Sequence, residues 1–299
     1  MALSLKDSRV GTLFMTDSYI GGNEKLEQFL QRDHDRVGVA GKTIVFSHGK
    51  RTARSAVLMH GLAASPTQFI ELGRRLHARG YNVLIPRLPR HGYSDRLTNA
   101  LANLTAPELR EAARESMEIA RGFGEHVSVV GFSLGGLMAA WIAQNHDVDS
   151  VVCIAPFLGL SWIPSAVVWP VMAMMLRLPN AFHWWHPIKK ADLLPAHGYP
   201  RYATHSVAQA YYVAHELLAE ASRRAPRAKR IVMVTNKREM TVNNRAAERL
   251  VRRWRAHRAS GIETFQFTDL PPSHDIIEPL RHPEITAKVY PKLLELIDR

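Results

Sequence analysis

The sequence of 299 residues predicts an α/β fold in which helices cover both faces of a mostly parallel sheet. Two observations predict this class. Short runs of β-branched and apolar residues alternate with segments whose apolar residues recur at helical spacing. Hydrophobic residues make up 46% and charged residues 22%, a balance typical of globular proteins and not of disordered chains. Because ligands bind beyond the carboxyl ends of the strands in such sheets, functional residues are expected in the turns that follow strands.

Seven segments are predicted strands because each is a run of four or five residues rich in β-branched, aromatic or other apolar side chains. Pro156 closes the fifth of these runs, since proline cannot donate a ladder hydrogen bond. In chain order, the predicted strands are 43–47, 55–59, 81–85, 127–130, 151–155, 231–234 and 263–267.

The predicted helices carry boundary signals of their own. Ser65 followed by Pro66 is typical of an N-cap and a first helical turn, and Gly80 ends that helix. Thr105 and Glu108 have the spacing of a capping box. In chain order, the predicted helices are 66–79, 105–121, 134–144, 243–257 and 283–297.

One segment departs from this alternation. Residues 157–224 hold four of the six Trp and show no clear β alternation. We therefore predict a cap inserted at 157–224 into a core formed by 1–156 and 225–299. The first 40 residues carry no motif.

The stretch Ser150–Leu176 contains no charged residue and is long enough to cross a membrane. Pro156, Pro164 and Pro170 interrupt it, so we expect a buried strand followed by an apolar part of the cap. The N-terminus lacks the basic start and apolar run of a signal peptide, and we expect a cytoplasmic protein.

The net charge is +12, which favours anionic partners such as nucleic acid, acidic membrane surfaces or acidic substrates. Many of the positive residues lie on helix faces, for example in the run Arg245–Arg258, and they do not form a nucleic-acid-binding motif. We expect no nucleic-acid partner. The basic run is either a solvated face or a surface attracted to anionic membranes, which would suit a lipid ester as substrate.

Gly131-Phe132-Ser133-Leu134-Gly135 has the pattern G-x-S-x-G and lies between a predicted strand and a predicted helix. A sharp turn at this place lifts one hydroxyl above the sheet, and small neighbours allow close approach of the backbone. Ser133 is therefore the candidate nucleophile; the structural alternative is a glycine-rich helix start.

A serine hydroxyl needs a general base. With a nucleophile turn of this kind, the acid and then the histidine follow the serine in the chain, and the histidine comes after the last strand. His274 occupies that loop. Glu239 is the one carboxylate in 235–242, after the preceding strand, and it is the candidate acid; Asp269 and Asp275, which flank His274, stay as alternatives.

Acyl transfer also needs an oxyanion hole made of backbone N–H groups. The residue after the nucleophile, Leu134, supplies one. The turn after the strand 55–59 supplies the second, and Leu62 is our candidate. We expect His60 in that turn to be structural, and His91-Gly92 to support the floor of the pocket.

Apolar, adaptable side chains in the cap suggest a medium acyl chain or an aromatic ester. Trp162, Trp169 and Met172 are the candidate substrate-binding residues. The alternative is that most of these side chains pack the cap onto the core.

Taken together, these motifs resemble the α/β-hydrolase superfamily and, within it, the carboxylesterase and monoacylglycerol-lipase-like branch, also called the serine aminopeptidase-like or hydrolase-4 group. The resemblance implies a Ser-acid-His triad, no cofactor, no metal and an inserted cap. The family usually has Asp where this chain has Glu239. The residues that carry the resemblance are His60-Gly61-Leu62, Pro89-Arg-His-Gly92, Gly131–Gly135, Glu239-x-x-Val242 and Ser273-His274.

The expected function is hydrolysis of small carboxylic esters, medium-chain or monoacylglycerol-like, through an acyl-enzyme on Ser133. Two alternatives stay open. A peptidase or a C–C bond hydrolase uses the same triad on the same fold, and a hydrolase-like binding protein has the fold without the activity.

Overall fold

A seven-stranded sheet forms the centre of the computed structural model, which describes residues 18–34, 36–163, 165–186, 197–257 and 260–299. Its order is β1-β3-β2-β4-β5-β8-β9; β1 runs antiparallel to β3 and the other neighbours are parallel. Strands β6 and β7 form a separate antiparallel pair. The strands are β1 (Ile44–Phe46), β2 (Thr52–Met59), β3 (Tyr81–Ile85), β4 (Gly124–Phe132), β5 (Ser150–Ile154), β6 (Phe182–Trp184), β7 (Arg201–Ala203), β8 (Arg230–Asn236) and β9 (Ile262–Phe267).

Helices lie on both faces of this sheet, so the inner strands β3 and β5 are buried along their whole length. The helices are α1 (Tyr19–Leu30), α2 (Ile70–His77), α3 (Ala106–Phe123), α4 (Leu134–Asn145), α5 (Ser165–Met175), α6 (Thr204–Ala221), α7 (Asn244–Ala256) and α8 (Pro283–Asp298).

The predicted fold class is confirmed, and every predicted strand is present. Strand β2 begins at Thr52 and β4 at Gly124, each three residues before its predicted start, because these polar ends pair with each other at the rim of the sheet. The capping box of Thr105 and Glu108 is formed at the start of α3. The helix predicted from Pro66 opens instead as a 3₁₀ turn before α2.

Helix α1 is present in the structure but was not predicted from the sequence. The Ser18 side chain caps it by accepting from the Gly21 amide at 3.0 Å. It packs against α3 where two glycines meet: a Cβ on Gly122 would lie 2.6 Å from the Cα of Gly22. Two helix backbones approach this closely only without side chains between them, so the contact depends on residues that carry no hydrophobic signal.

A buried ion pair fastens the segment after α1 to the core. Asp33 contacts the Arg87 guanidinium at 2.6 Å, and both side chains are 7% exposed. Asp33 also accepts a hydrogen bond from the Thr43 amide at 2.7 Å. The pair therefore links three separate parts of the chain.

We expect Asp33→Asn to lower the free energy of unfolding by about 3–5 kcal/mol, because it leaves the Arg87 charge buried without its partner. Urea denaturation of purified protein measures this. The matched control is Glu71→Gln, which breaks the exposed pair with Arg75 and is expected to cost less than about 1 kcal/mol. Equal effects of the two substitutions would contradict the prediction.

Between β5 and β8 the chain forms α5, the β6–β7 pair and α6. Helix α6 packs on α4 of the core and on α5. The predicted charge-free stretch becomes β5 followed by α5, which has Pro170 inside it. Within the described ranges, no helix is long and apolar enough to span a membrane. Residues 1–17, on which the expectation about a signal peptide rests, lie outside the described residues, as does Pro164.

The basic run forms α7, an amphipathic helix. Leu250 and Trp254 are buried on its inner face, while Arg245 and Arg252 are exposed; the end of the run, Arg258, lies outside the described residues. Attraction of this face to an anionic membrane stays a prediction.

Candidate active site

Ser133 sits on a strained turn between β4 and α4, with φ 54° and ψ −110°. This conformation is rarely adopted by residues with a side chain, and such strain is concentrated at functional sites. The glycines around it are required sterically. A Cβ on Gly131 would lie 2.0 Å from the Gly135 carbonyl oxygen, and one on Gly135 would lie 1.9 Å from that of Met59. The G-x-S-x-G pattern is therefore a condition for the backbone to turn here.

The three residues predicted as nucleophile, base and acid lie in one hydrogen-bonded row. His274 Nε2 lies 2.8 Å from Ser133 Oγ, and His274 Nδ1 lies 2.8 Å from Glu239 Oε2. With its proton on Nδ1, the imidazole donates to the carboxylate and accepts from the serine hydroxyl. The ring of Phe132 packs against the imidazole, with 4.9 Å between ring centroids. This geometry lets His274 take the serine proton.

Glu239 is held as a carboxylate. Its side chain is 0% exposed. Burial acts to raise the pKa of Glu239, but the hydrogen bond and charge of His274, together with the Thr241 and Val242 amides, outweigh it and hold the pKa below its usual value. Those amides donate to Oε1 at 2.6 and 3.3 Å, leaving Oε2 for the imidazole. The extra methylene of Glu is accommodated in a loop that supplies its own donors.

Neither alternative acid contacts the imidazole. The Asp269 side chain is exposed to solvent, and its Oδ2 lies 3.9 Å from Lys288 Nζ. Asp275 follows His274 in the chain, but its carboxylate accepts from the Ile277 amide and from Gln68, each at 3.4 Å. Of the three candidate acids, the structure brings only Glu239 to Nδ1.

Two backbone N–H groups of the cleft have no hydrogen-bond partner among the described residues. They belong to Leu62 and Leu134, which line the same cleft as Ser133. The amides on either side of Leu62 are bonded, that of Gly61 to Gln68 Oε1 at 2.9 Å and that of Ala63 to His91 Nε2 at 3.1 Å. The amides on either side of Leu134 are bonded to backbone carbonyls. A pair of free donors between bonded neighbours is what a developing oxyanion needs.

His60 and His91 support this loop as neutral imidazoles. Burial, with the nearby His91, lowers the pKa of His60 well below its usual value. Burial likewise lowers the pKa of His91 to about 4. His60 accepts from the Leu88 amide and donates to the Gly61 carbonyl, which leaves no ring nitrogen for proton transfer to a substrate. Both residues are scaffolding in this geometry.

A cleft of about 740 Å³ opens above Ser133. Its lining includes apolar side chains, among them Phe157, Leu160 and Val242. It also includes polar side chains, among them Gln68, His197, Asp275 and Glu278.

The three predicted substrate-binding residues differ in whether they line the cleft. Trp162 lines the cleft and is 73% exposed at its rim. Trp169 and Met172 are corrected: neither lines the cleft formed by the described residues. Met172 is buried in the core, and Trp169 stacks on His215, with 4.2 Å between ring centroids. These two follow the alternative interpretation, in which cap residues pack onto the core, because they lie on the inner face of α5.

Several cleft residues were not predicted from the sequence. Trp185 and Tyr202 contact each other on the cap side, with 4.4 Å between ring centroids. Tyr199 ties the cap to the oxyanion loop through its amide, which donates to the Ala63 carbonyl at 2.7 Å. The sequence did not indicate a role for Gln68 either, because a single Gln at the start of a helix is ordinarily exposed to solvent.

A mostly parallel sheet that raises a serine on such a turn, with further structure inserted after the next strand, defines the class of α/β hydrolases. The chain belongs to the alpha/beta hydrolase family, whose model matches residues 56–288. No curated protein matches the chain in sequence.

Solved structures share the fold. The monoacylglycerol lipase of Paleococcus ferrophilus is 18% identical, with 85% of this chain and 97% of that chain covered and a TM-score of 0.64. A soluble variant of monoglyceride lipase from Saccharomyces cerevisiae, in complex with a substrate analogue, is 13% identical, with 86% and 91% covered and a TM-score of 0.66. An esterase from Exiguobacterium antarcticum is 14% identical, with 86% and 95% covered and a TM-score of 0.59.

Proposed function

We propose that this α/β hydrolase cleaves small carboxylic esters through an acyl-enzyme on Ser133. The observation that carries the proposal is the row Ser133–His274–Glu239, with 2.8 Å at each of its two contacts. The free amides of Leu62 and Leu134 complete the set of groups that acyl transfer needs. Esterase and lipase activity is also named for several structures that share the fold.

In the first half-reaction, Ser133 Oγ forms a bond to the ester carbonyl carbon while its proton moves to His274 Nε2. The carbonyl oxygen becomes an oxyanion and accepts from the Leu62 and Leu134 amides. The bond to the alcohol oxygen then breaks, and the alcohol leaves with the proton from Nε2. Glu239 stabilises the imidazolium between these two transfers and keeps the ring oriented.

In the second half-reaction, water attacks the acyl carbon while His274 takes one of its protons. The bond to Ser133 Oγ breaks, and the serine recovers a proton from the imidazole. The products are a carboxylic acid and a free enzyme. In enzymes of this type, loss of one oxyanion donor costs about 10²–10³ in kcat.

The cleft supports a substrate with an apolar acyl chain. Phe157, Leu160 and the exposed Trp162 are among its apolar lining residues. A volume of about 740 Å³ is within the usual range for small-molecule sites. We therefore favour medium-chain or monoacylglycerol-like esters over very small or polymeric ones.

The test combines labelling with turnover. A fluorophosphonate probe is expected to label the protein at Ser133, and a p-nitrophenyl ester series from acetate to palmitate is expected to peak at medium chain length. Labelling without turnover of any ester would shift the proposal to a peptidase or a C–C bond hydrolase. Assays with amide and β-diketone substrates would then distinguish these two. Absence of both labelling and turnover would leave the hydrolase-like binding protein.

A further inference from the structure

Gln68 links the two halves of the candidate site. It lies in the 3₁₀ turn Pro66–Phe69 and is 4% exposed on the wall of the cleft. Its Oε1 accepts from the Gly61 amide at 2.9 Å, and its Nε2 donates to Asp275 Oδ2 at 3.4 Å. Gly61 precedes the oxyanion donor Leu62, and Asp275 follows the base His274. One amide side chain therefore touches both loops that must act together.

The first contact determines which amide of the oxyanion loop is free. Gly61 donates to Gln68 and Ala63 donates to His91, so Leu62 between them is left for a ligand. Ala63 adopts a positive φ of 62°, which gives this loop its tight turn. Without the Gln68 oxygen, the Gly61 N–H would lose its buried partner, and the turn would be free to rotate the Leu62 N–H away.

The second contact fixes the loop that carries His274. Asp275 accepts from Gln68 on one oxygen and from the Ile277 amide on the other, while its carbonyl accepts from the Ser273 hydroxyl at 3.1 Å. The residues on both sides of the imidazole are thereby held. Burial raises the pKa of Asp275, so this carboxyl depends on the few donors it has.

We infer that Gln68 is a positioning residue, which couples the oxyanion loop to the loop of the catalytic base through Gly61 and Asp275. The inference rests on the proposed function and names a further residue for that reaction. An amide suits this place because it accepts and donates at once. A carboxylate accepts from Gly61 but cannot donate to Asp275, and a thioether of similar length does neither.

The test compares Gln68→Met, Gln68→Glu and the matched control Gln266→Met, which lies on β9 outside the cleft. We expect Gln68→Met to lower kcat by about 10–100-fold with KM changed less than about threefold, because a displaced oxyanion donor weakens transition-state binding and not substrate binding. Gln266→Met is expected to retain wild-type kcat.

Gln68→Glu supplies the readout that a purely structural role would not move. The new carboxyl and Asp275 would face each other, so the pair would hold one proton more readily than either acid alone. His274, Glu278 and Arg281 also face Asp275 and are the same in both proteins. As pH falls, the shared proton restores a donor between the two residues. The ratio of variant to wild-type kcat is therefore expected to rise as pH falls from 8 to 5.

Several outcomes would overturn the inference. These are a kcat within twofold of wild type for both Gln68 variants, a loss confined to KM, or a kcat ratio for Gln68→Glu that is flat with pH. If Gln68→Met does not fold, the pH ratio of Gln68→Glu decides alone. Failure of the proposed function is distinguishable, since the wild type itself would then turn over no ester, whether or not the probe labels it.

Discussion

Ser133→Ala is expected to lower kcat for the best p-nitrophenyl ester on the order of 10⁶-fold, as does removal of the nucleophile from a serine protease. Without Oγ no acyl-enzyme forms, and His274 has no hydroxyl to deprotonate. The Leu62 and Leu134 amides remain, so slow hydrolysis by water about 10³–10⁴-fold above the uncatalysed rate is expected to persist. Fluorophosphonate labelling is expected to disappear together with turnover.

The matched control is Ser222→Ala, at an exposed serine after α6 whose hydroxyl donates only to the Leu218 carbonyl among the described residues. It is expected to retain wild-type turnover and labelling. Equal labelling of Ser133→Ala and wild type would place the reactive group elsewhere. Turnover that survives Ser133→Ala at more than a few per cent of wild type would rule out the acyl-enzyme mechanism.

Local patterns predicted the elements of the core and the nucleophile turn well. Gly131 and Gly135 could be interpreted from the sequence because their steric requirement arises within a few residues of Ser133 in the chain. Leu134 followed directly from its place after Ser133. The chain order of the strands placed Glu239 and His274 in loops at the same edge of the sheet, since parallel strands end together.

Residues that depend on distant contacts gave no such signal. Met172 and Trp162 are both apolar cap residues, yet one is buried in the core and the other lies at the rim of the cleft. Composition does not show which residues of the cap turn inward. Gln68 acquires its place only when Gly61 and Asp275, which are more than 200 residues apart in sequence, meet in the fold.

Glu239→Gln is expected to lower kcat by about 10⁴-fold with little change in KM, the loss seen when a triad acid is replaced by its amide. An amide nitrogen facing Nδ1 favours the tautomer with the proton on Nε2, which cannot accept from the Ser133 hydroxyl. The lowered pKa of Glu239 keeps this carboxylate ionised at neutral pH, so its charge is available to the imidazolium there.

Two further substitutions test the assignment of Glu239 as the triad acid. Asp269→Asn is expected to leave kcat within twofold of wild type, because that side chain points to solvent. Asp275→Asn is expected to cost about tenfold, since it disturbs the loop of His274 but leaves Nδ1 bonded to Glu239. If Asp275→Asn cost more than Glu239→Gln, the acid would be Asp275 and the loops would rearrange on substrate binding. Because both substitutions remove one carboxylate near His274, loss of charge alone would make their effects similar; the 2.8 Å contact with Glu239 predicts that they differ by about 10³.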